Sequence, residues 1–198
     1  MEKGRISPDF PPYAPSSRWH AIRIKGLARG ESFENSCLSA NEEFSLRDFA
    51  RCRITGHSDS PILLTVPVEG GSSVLKGMLP PKEIKLSNHG NWRRIHLGAL
   101  EASYGRTPYY PYLMPNLKEI YEGNFQTLRD FNLAIEEALF AFLLNNISRD
   151  ELSMLLNFSG NSLRERGMEI SGLIDPDLSI IDALMRIGPE TLLALPFI

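Results

Sequence analysis

The stretch that decides the fold is "NWRRIHLGALEASYGRTPYYPYL", residues 91–113, where the spacing of apolar side chains changes from that of strands to that of helices. Apolar and aromatic residues recur here three and four positions apart, and a glycine follows the last of them. Such spacing is typical of an amphipathic helix, and glycine commonly ends one. The predicted helix stops at Gly105, and its core-facing stripe comprises Trp92, Ile95, His96, Ala99, Leu100, Ser103 and Tyr104.

Helical patterns continue after this stretch. The strongest is "TLRDFNLAIEEALFAFLL" at 127–144, which carries one apolar stripe and begins with Thr127 and Asp130 in the spacing of a capping box. A shorter helix is predicted over 114–123, and short helical pieces are predicted over 148–198. The second half of the chain is therefore predicted to be helical.

Strand patterns precede it. "FARCRITG" at 49–56 alternates between two faces, and "ILLTVPVEGG" at 62–71 is a mostly apolar strand that Pro67 should end or confine to an edge. "KEIKLS" at 82–87 is a third, weaker strand. Because the connections are short, these segments predict a small, mainly antiparallel sheet.

The organisation that follows is a single α+β domain over 1–198, with the sheet packed against three or more helices. Residues 1–30 are predicted to be an irregular, proline-rich opening, 31–90 the strand-rich half and 91–198 the helical half. Within the opening, "RWHAIRIKG" at 18–26 is compatible with a strand or with a short helix after the prolines.

Composition excludes several classes of function. A net charge of −3 and a pI near 5.8 give no basic field for nucleic acid, so no nucleic-acid partner is expected. No apolar run is long enough for a membrane span, and the first residues lack the apolar core of a secretory signal. Cys37 and Cys52 are expected to be reduced thiols of a cytoplasmic protein, and no spacing of Cys and His predicts a metal site. No phosphate-loop spacing is present either.

Two polar residues fall on the predicted apolar stripes. His96 shares a helix face with Trp92 and Leu100, so it is either a general base or a core histidine bonded to a carbonyl. Asn132 lies on the stripe of the long helix, where its amide needs a partner. It either joins the helix to the sheet or faces a pocket.

Arginine and tyrosine side chains form two further candidate groups. Arg51 and Arg53 share one face of a predicted strand and require carboxylates, solvent or an anionic ligand. The tyrosines provide either a flat platform for a sugar or a cap over the core, and they are Tyr104, Tyr109, Tyr110 and Tyr112.

Several of these runs together resemble the WbqC-like protein family. The resemblance rests on "LTVPVEGG" at 64–71, on the block from "KEIKLSNHGNW" to "NLAIEEAL" at 82–139 and on "LSIIDALMRIGPETL" at 178–192. The opening "PPYAPSSRWHA" at 11–21 is similar to the family's proline-rich, aromatic first segment. The positions that match the family pattern are Trp19, Arg51, Pro67, Trp92, His96, Tyr104, Pro108 and Asn132.

The resemblance implies a role in the biosynthesis of surface polysaccharides such as O-antigen, or of amino sugars. Members occur in the corresponding gene clusters, which implies a cytoplasmic transferase with a nucleotide sugar or an acyl donor as its partner; no cofactor or oligomeric state follows. In that interpretation His96 is the general base, and the residues that bind substrate are Arg51, Trp92, Tyr104 and Asn132.

A second interpretation is a non-catalytic protein that binds a sugar or a partner. It draws on two departures from the family pattern. Ala50 precedes Arg51 where the family carries asparagine, and the opening lacks a clear apolar strand. A member that has lost its catalytic site would show such changes.

Overall fold

Two short antiparallel strands and a set of helices make up the part of the chain that the structure describes. The structure is a computed structural model, and it describes residues 11–32, 35, 48–56, 60–71, 84–144 and 161–198. The prediction of an α+β fold is confirmed. The elements are β1 (Arg51–Ile54), β2 (Ile62–Thr65), α1 (Ser17–Ala28), α2 (Trp92–Tyr104), α3 (Tyr110–Glu122), α4 (Leu128–Leu144), α5 (Asn161–Ser171), α6 (Ile180–Ile187) and the short α7 (Thr191–Ala194).

The sheet pairs β1 with β2 in antiparallel register, with Cys52 opposite Leu64. Cys52 and Ile54 face the core, whereas Arg53 is exposed, as the alternation predicts. The predicted third strand is wrong over its described residues. Lys85 and Leu86 form only isolated bridges, because Leu86 donates its N–H to the Gln126 carbonyl instead of extending a ladder along the sheet.

The opening contains a helix, so the prediction of an irregular segment through residue 30 is wrong, and of the two alternatives for 18–26 the helix is the one observed. The Ser16 hydroxyl accepts a hydrogen bond from the Trp19 N–H and so starts α1. The inward face is hard to recognise in the sequence because polar side chains occupy half of it. Its fully buried side chains are those of Ser17, Trp19, His20, Ala21, Arg23 and Ile24.

Helices α2 and α3 pack against each other and share one hydrophobic core with the sheet. Every fourth residue of α2 is buried from Trp92 to Tyr104, but Ile95 is 65% exposed, so the buried stripe is narrower than predicted. Helix α3 begins at Tyr110, four residues before the predicted start. Pro111 stands in its first turn, where a missing N–H costs no hydrogen bond.

Helix α4 runs through the core and is joined to two other segments by one amide. The Asn132 Nδ2 donates to the Pro11 carbonyl at 2.9 Å and to the Phe49 carbonyl at 2.8 Å. Asn132 is fully buried, so it joins this helix both to the opening segment and to the residues that lead into β1.

Helix α6 buries six of its eight residues. The Ser179 hydroxyl accepts from the Ile181 N–H and starts the helix. The Asp182 carboxylate accepts from the Tyr104 hydroxyl at 2.9 Å and from the Thr55 hydroxyl at 2.8 Å. Gly188 ends the helix with a φ of +70°, a conformation that glycine tolerates. None of the described helices is both long enough and apolar enough to span a membrane.

Replacing Asn132 with Leu should lower the free energy of unfolding by about 2–4 kcal/mol, because two buried carbonyls lose the hydrogen bonds that this amide donates. Urea denaturation measures the loss. The matched control is Asn124→Leu at an exposed site, which should change stability by less than about 0.5 kcal/mol. Equal effects at the two positions would contradict the role given to the buried amide.

Candidate functional site: a cationic cleft beside the first strand

A surface cleft of about 380 Å³ lies beside β1, between the opening segment and the residues that precede α6. Its walls come from three parts of the sequence that are far apart in the chain. The lining residues are Pro12, Ala14, Pro15, Ser16, Arg18, Arg51, Cys52, Arg53, Leu63, Asp177 and Ser179.

Backbone hydrogen bonds hold these three segments together. The Ser179 N–H donates to the Arg53 carbonyl at 2.7 Å, and the Ile180 N–H donates to the Pro15 carbonyl at 2.9 Å. Ala14 adopts a φ of +40°, an uncommon conformation for a residue with a side chain. The segment that leads into α6 is therefore hydrogen-bonded both to the opening segment and to β1.

The cleft is positively charged. Arg18 pairs with Asp177 at 2.9 Å, whereas among the residues that the structure describes Arg51 and Arg53 have no ion-pair partner. The Arg51 Nε is buried and has no hydrogen-bond acceptor within the described part of the chain. The N-termini of α1 and α6 also meet here, through the bridge between Ser16 and Ser179, and each adds partial positive charge.

His96 lies elsewhere, inside an aromatic cluster with Trp92, Tyr121 and Phe131. It is 4% exposed, and its Nδ1 lies 3.1 Å from the Tyr13 hydroxyl. Burial lowers the pKa of the imidazole to about 4, and a hydrogen bond with the Thr65 backbone partly offsets that effect. The ring is therefore neutral at pH 7.

The other predicted substrate contacts are also buried and have protein partners. The Trp92 indole N–H donates to the Ser87 carbonyl, the Tyr104 hydroxyl bonds Asp182, and Asn132 bonds two backbone carbonyls. The structure thus places Arg51 in the cleft and His96 beside Trp92, and it brings neither Tyr104 nor Asn132 to the cleft wall. The roles of these residues toward a substrate stay predictions.

Tyr13 connects the two regions. Its hydroxyl hydrogen-bonds Tyr121, lies near His96 and is a hydrogen-bond partner of the buried Cys52 thiol; Cys52 is also one of the lining residues of the cleft. Burial raises the pKa of Cys52 to about 12, so the thiol stays protonated and is a poor nucleophile. Cys52 is a free cysteine, whereas Cys37 lies outside the described residues.

A second group of charged residues is buried between α1 and α4. The Arg23 guanidinium pairs with Glu136 and lies over the Trp19 ring, 4.9 Å from its centroid, while the His20 Nε2 is 3.6 Å from the Glu136 carboxylate. Burial raises the pKa of Glu136 to about 7 although Arg23 opposes the rise. Burial, and then Arg23, hold the pKa of His20 well below its usual value.

Sequence reasoning missed this group and several residues of the cleft. Glu136 follows Asn132 by one helical turn on an apolar stripe, and that spacing was the available signal. Arg18 and Tyr13 gave none, because their segment was predicted to be irregular. Across the described ranges, no three His, Cys, Asp or Glu residues are arranged to hold a metal ion.

The fold and the cleft define an α+β protein with a cationic surface cleft at the edge of a small sheet. Residues 31–175 match the model of the WbqC-like protein family, and because this range covers most of the chain, the chain belongs to that family. Arg51, Arg53 and Cys52 fall inside the matched range, whereas the cleft residues from Pro12 to Arg18 precede it. No curated protein and no solved structure matched the chain.

Acidification should destabilise the protein through His96. The pKa of its imidazole is about 4 in the folded state and near 6.5 in the unfolded state. The free energy of unfolding therefore keeps its full value above pH 6.5 and falls by about 3 kcal/mol as the pH drops from 6.5 toward 4, because the unfolded state binds the extra proton first. Urea denaturation at pH 7 and pH 4 measures this for the wild type and for His96→Gln. The variant should lose less on acidification than the wild type does. An equal loss in both proteins would refute the assignment.

Proposed function

We propose that this WbqC-like protein binds the phosphate of an activated sugar or of an acyl donor in the cationic cleft. Its setting would be the cytoplasmic biosynthesis of surface polysaccharides or amino sugars, the role that the family resemblance implies. The observation that carries the proposal is the Arg51 guanidinium, which lies in the cleft without an ion-pair partner among the described residues.

Arginine suits this role because its planar fork can donate two parallel hydrogen bonds to a phosphate. The cleft holds three guanidinium groups and one carboxylate, and that carboxylate is already paired with Arg18. The helix N-termini at Ser16 and Ser179 add to the attraction for an anion. A dianionic phosphate ester therefore matches the charge of the cleft.

A transferase is the second candidate function, favoured by the contacts of Tyr13. These contacts run from the buried thiol of Cys52, a residue that lines the cleft, to the His96 imidazole. Through them a proton released by an acceptor amine or hydroxyl could reach His96. A pKa of about 4 makes His96 a weak base at neutral pH, and general bases work best with a pKa near the working pH. Binding is accordingly the leading proposal and catalysis the second.

The binding proposal is tested by thermal unfolding with UDP-N-acetylglucosamine, coenzyme A and inorganic phosphate. A ligand that binds only the folded state raises the melting temperature. Arg51→Ala should weaken the binding of a stabilising phosphate ligand by roughly 10-fold or more, because a charged hydrogen bond is lost. The affinity of Arg51→Lys for this ligand should lie between that of Arg51→Ala and that of the wild type.

The matched control is Arg94→Ala, which removes an exposed guanidinium from α2 and should leave ligand binding unchanged. No shift with any of the three ligands, or equal losses in Arg51→Ala and Arg94→Ala, would refute the proposal.

For catalysis, the protein would be incubated with a stabilising donor and with amino-sugar acceptors, and products would be detected by mass spectrometry. His96→Gln should abolish product formation while the protein still folds and still binds the donor. Product formation by a folded His96→Gln protein at the wild-type rate would exclude His96 as the base.

A further inference from the structure

A second cleft, of about 370 Å³, lies on the other side of Arg18 and differs in character from the cationic one. Apolar side chains dominate its walls. They come from α1, from the segment after α5 and from the last residues of the chain, and they are Ile22, Ile174, Pro176, Phe197 and Ile198. We call this the apolar cleft.

The two clefts share a wall. Arg18 lines both of them, and its ion-pair partner Asp177 lines the cationic cleft directly after Pro176, which lines the apolar one. Ile22 follows Arg18 by one turn on the same face of α1, about 5.4 Å along the helix axis. The polarity of the surface therefore changes from cationic to apolar within one helical turn.

We infer that the ligand of the cationic cleft is a phosphate ester that carries a hydrocarbon chain. Its phosphate would contact Arg51 and Arg18, and its chain would lie against Ile22 in the apolar cleft. This inference rests on the proposed function and narrows its ligand class.

Such a ligand matches both the charge of the cationic cleft and the exposed apolar surface of the apolar cleft. Ile22 and Pro176 are only partly buried, so an apolar chain placed on them would remove further apolar surface from water. A phosphosugar without such a chain would use the guanidinium groups but leave this surface uncovered. An uncharged hydrocarbon would leave Arg51 without an acceptor.

The test is a calorimetric titration of the whole protein with inorganic phosphate, butyl phosphate and octyl phosphate, each below its micelle concentration. Affinity should rise with chain length, by up to about fourfold for each methylene that becomes fully buried. A second pair of probes, coenzyme A and octanoyl-coenzyme A, carries its acyl chain far from any phosphate, because the pantetheine arm lies between them. A gain along the alkyl phosphates supports the inference, whereas a gain confined to the coenzyme A pair would overturn it.

Ile22→Ser should remove most of the gain while leaving the binding of inorganic phosphate unchanged. The matched control is Leu173→Ser, which alters a side chain that is 66% exposed and does not line the apolar cleft. Thermal unfolding verifies that both variants fold, and the chain-length series on the wild type does not depend on either of them.

Phosphate binding without any effect of chain length would overturn this inference and leave the proposed function intact, as would a gain that persists in a folded Ile22→Ser protein. Absence of phosphate binding in the wild type would instead refute the proposed function itself.

Discussion

The amide of Asn132 is the contact on which the rest of the arrangement depends. From the middle of α4 it donates to the backbone of the opening segment at Pro11 and to the backbone at Phe49, just before β1. Both acceptors are carbonyls that lie away from water, where an unmet hydrogen bond is costly. Because one side chain satisfies both, the opening segment and the first strand take fixed positions on the same helix. Tyr13 and the walls of the cationic cleft follow from that placement.

The interior contains a buried ion pair between α1 and α4. Arg23 and Glu136 are both almost completely inaccessible to water, and two aromatic rings enclose the guanidinium. Desolvating such a pair costs several kcal/mol, and the mutual attraction seldom exceeds that cost. The pair disfavours other registers of α1 on α4, because a shift of either helix would leave a buried charge without its partner. That register also determines where Arg18, at the start of α1, stands in the cationic cleft.

Much of the fold could be predicted from residues whose local pattern agrees with their final environment. The stripe of α2, the alternation of β1 and the end of β2 before Pro67 belong to this group, because these patterns depend on neighbours in the sequence. Helix α1 was only one of two alternatives for 18–26, since His20 and Arg23 occupy inward positions that a hydrophobic pattern assigns to solvent. The residues of the candidate site likewise fall into those that the sequence pattern identifies and those that it does not. Arg51 was identified from its strand face, but Arg18 and Ser179 reach the cleft only through contacts across the whole chain, which no local pattern encodes.

The distance in sequence between the walls of the cationic cleft has a consequence for how the protein is made. Arg18 and Asp177 are separated by 159 positions in the sequence. The hydrogen bond from the Ser17 N–H to the Leu178 carbonyl joins equally distant segments. At ribosomal speeds of about 5–20 residues per second, the partner segment emerges roughly 10–30 s after the opening segment. During that interval Tyr13 and Trp19, both almost completely buried in the finished protein, have no complete core to enter. Nascent chains are thus a natural client for chaperones that hold exposed aromatic segments until synthesis is complete.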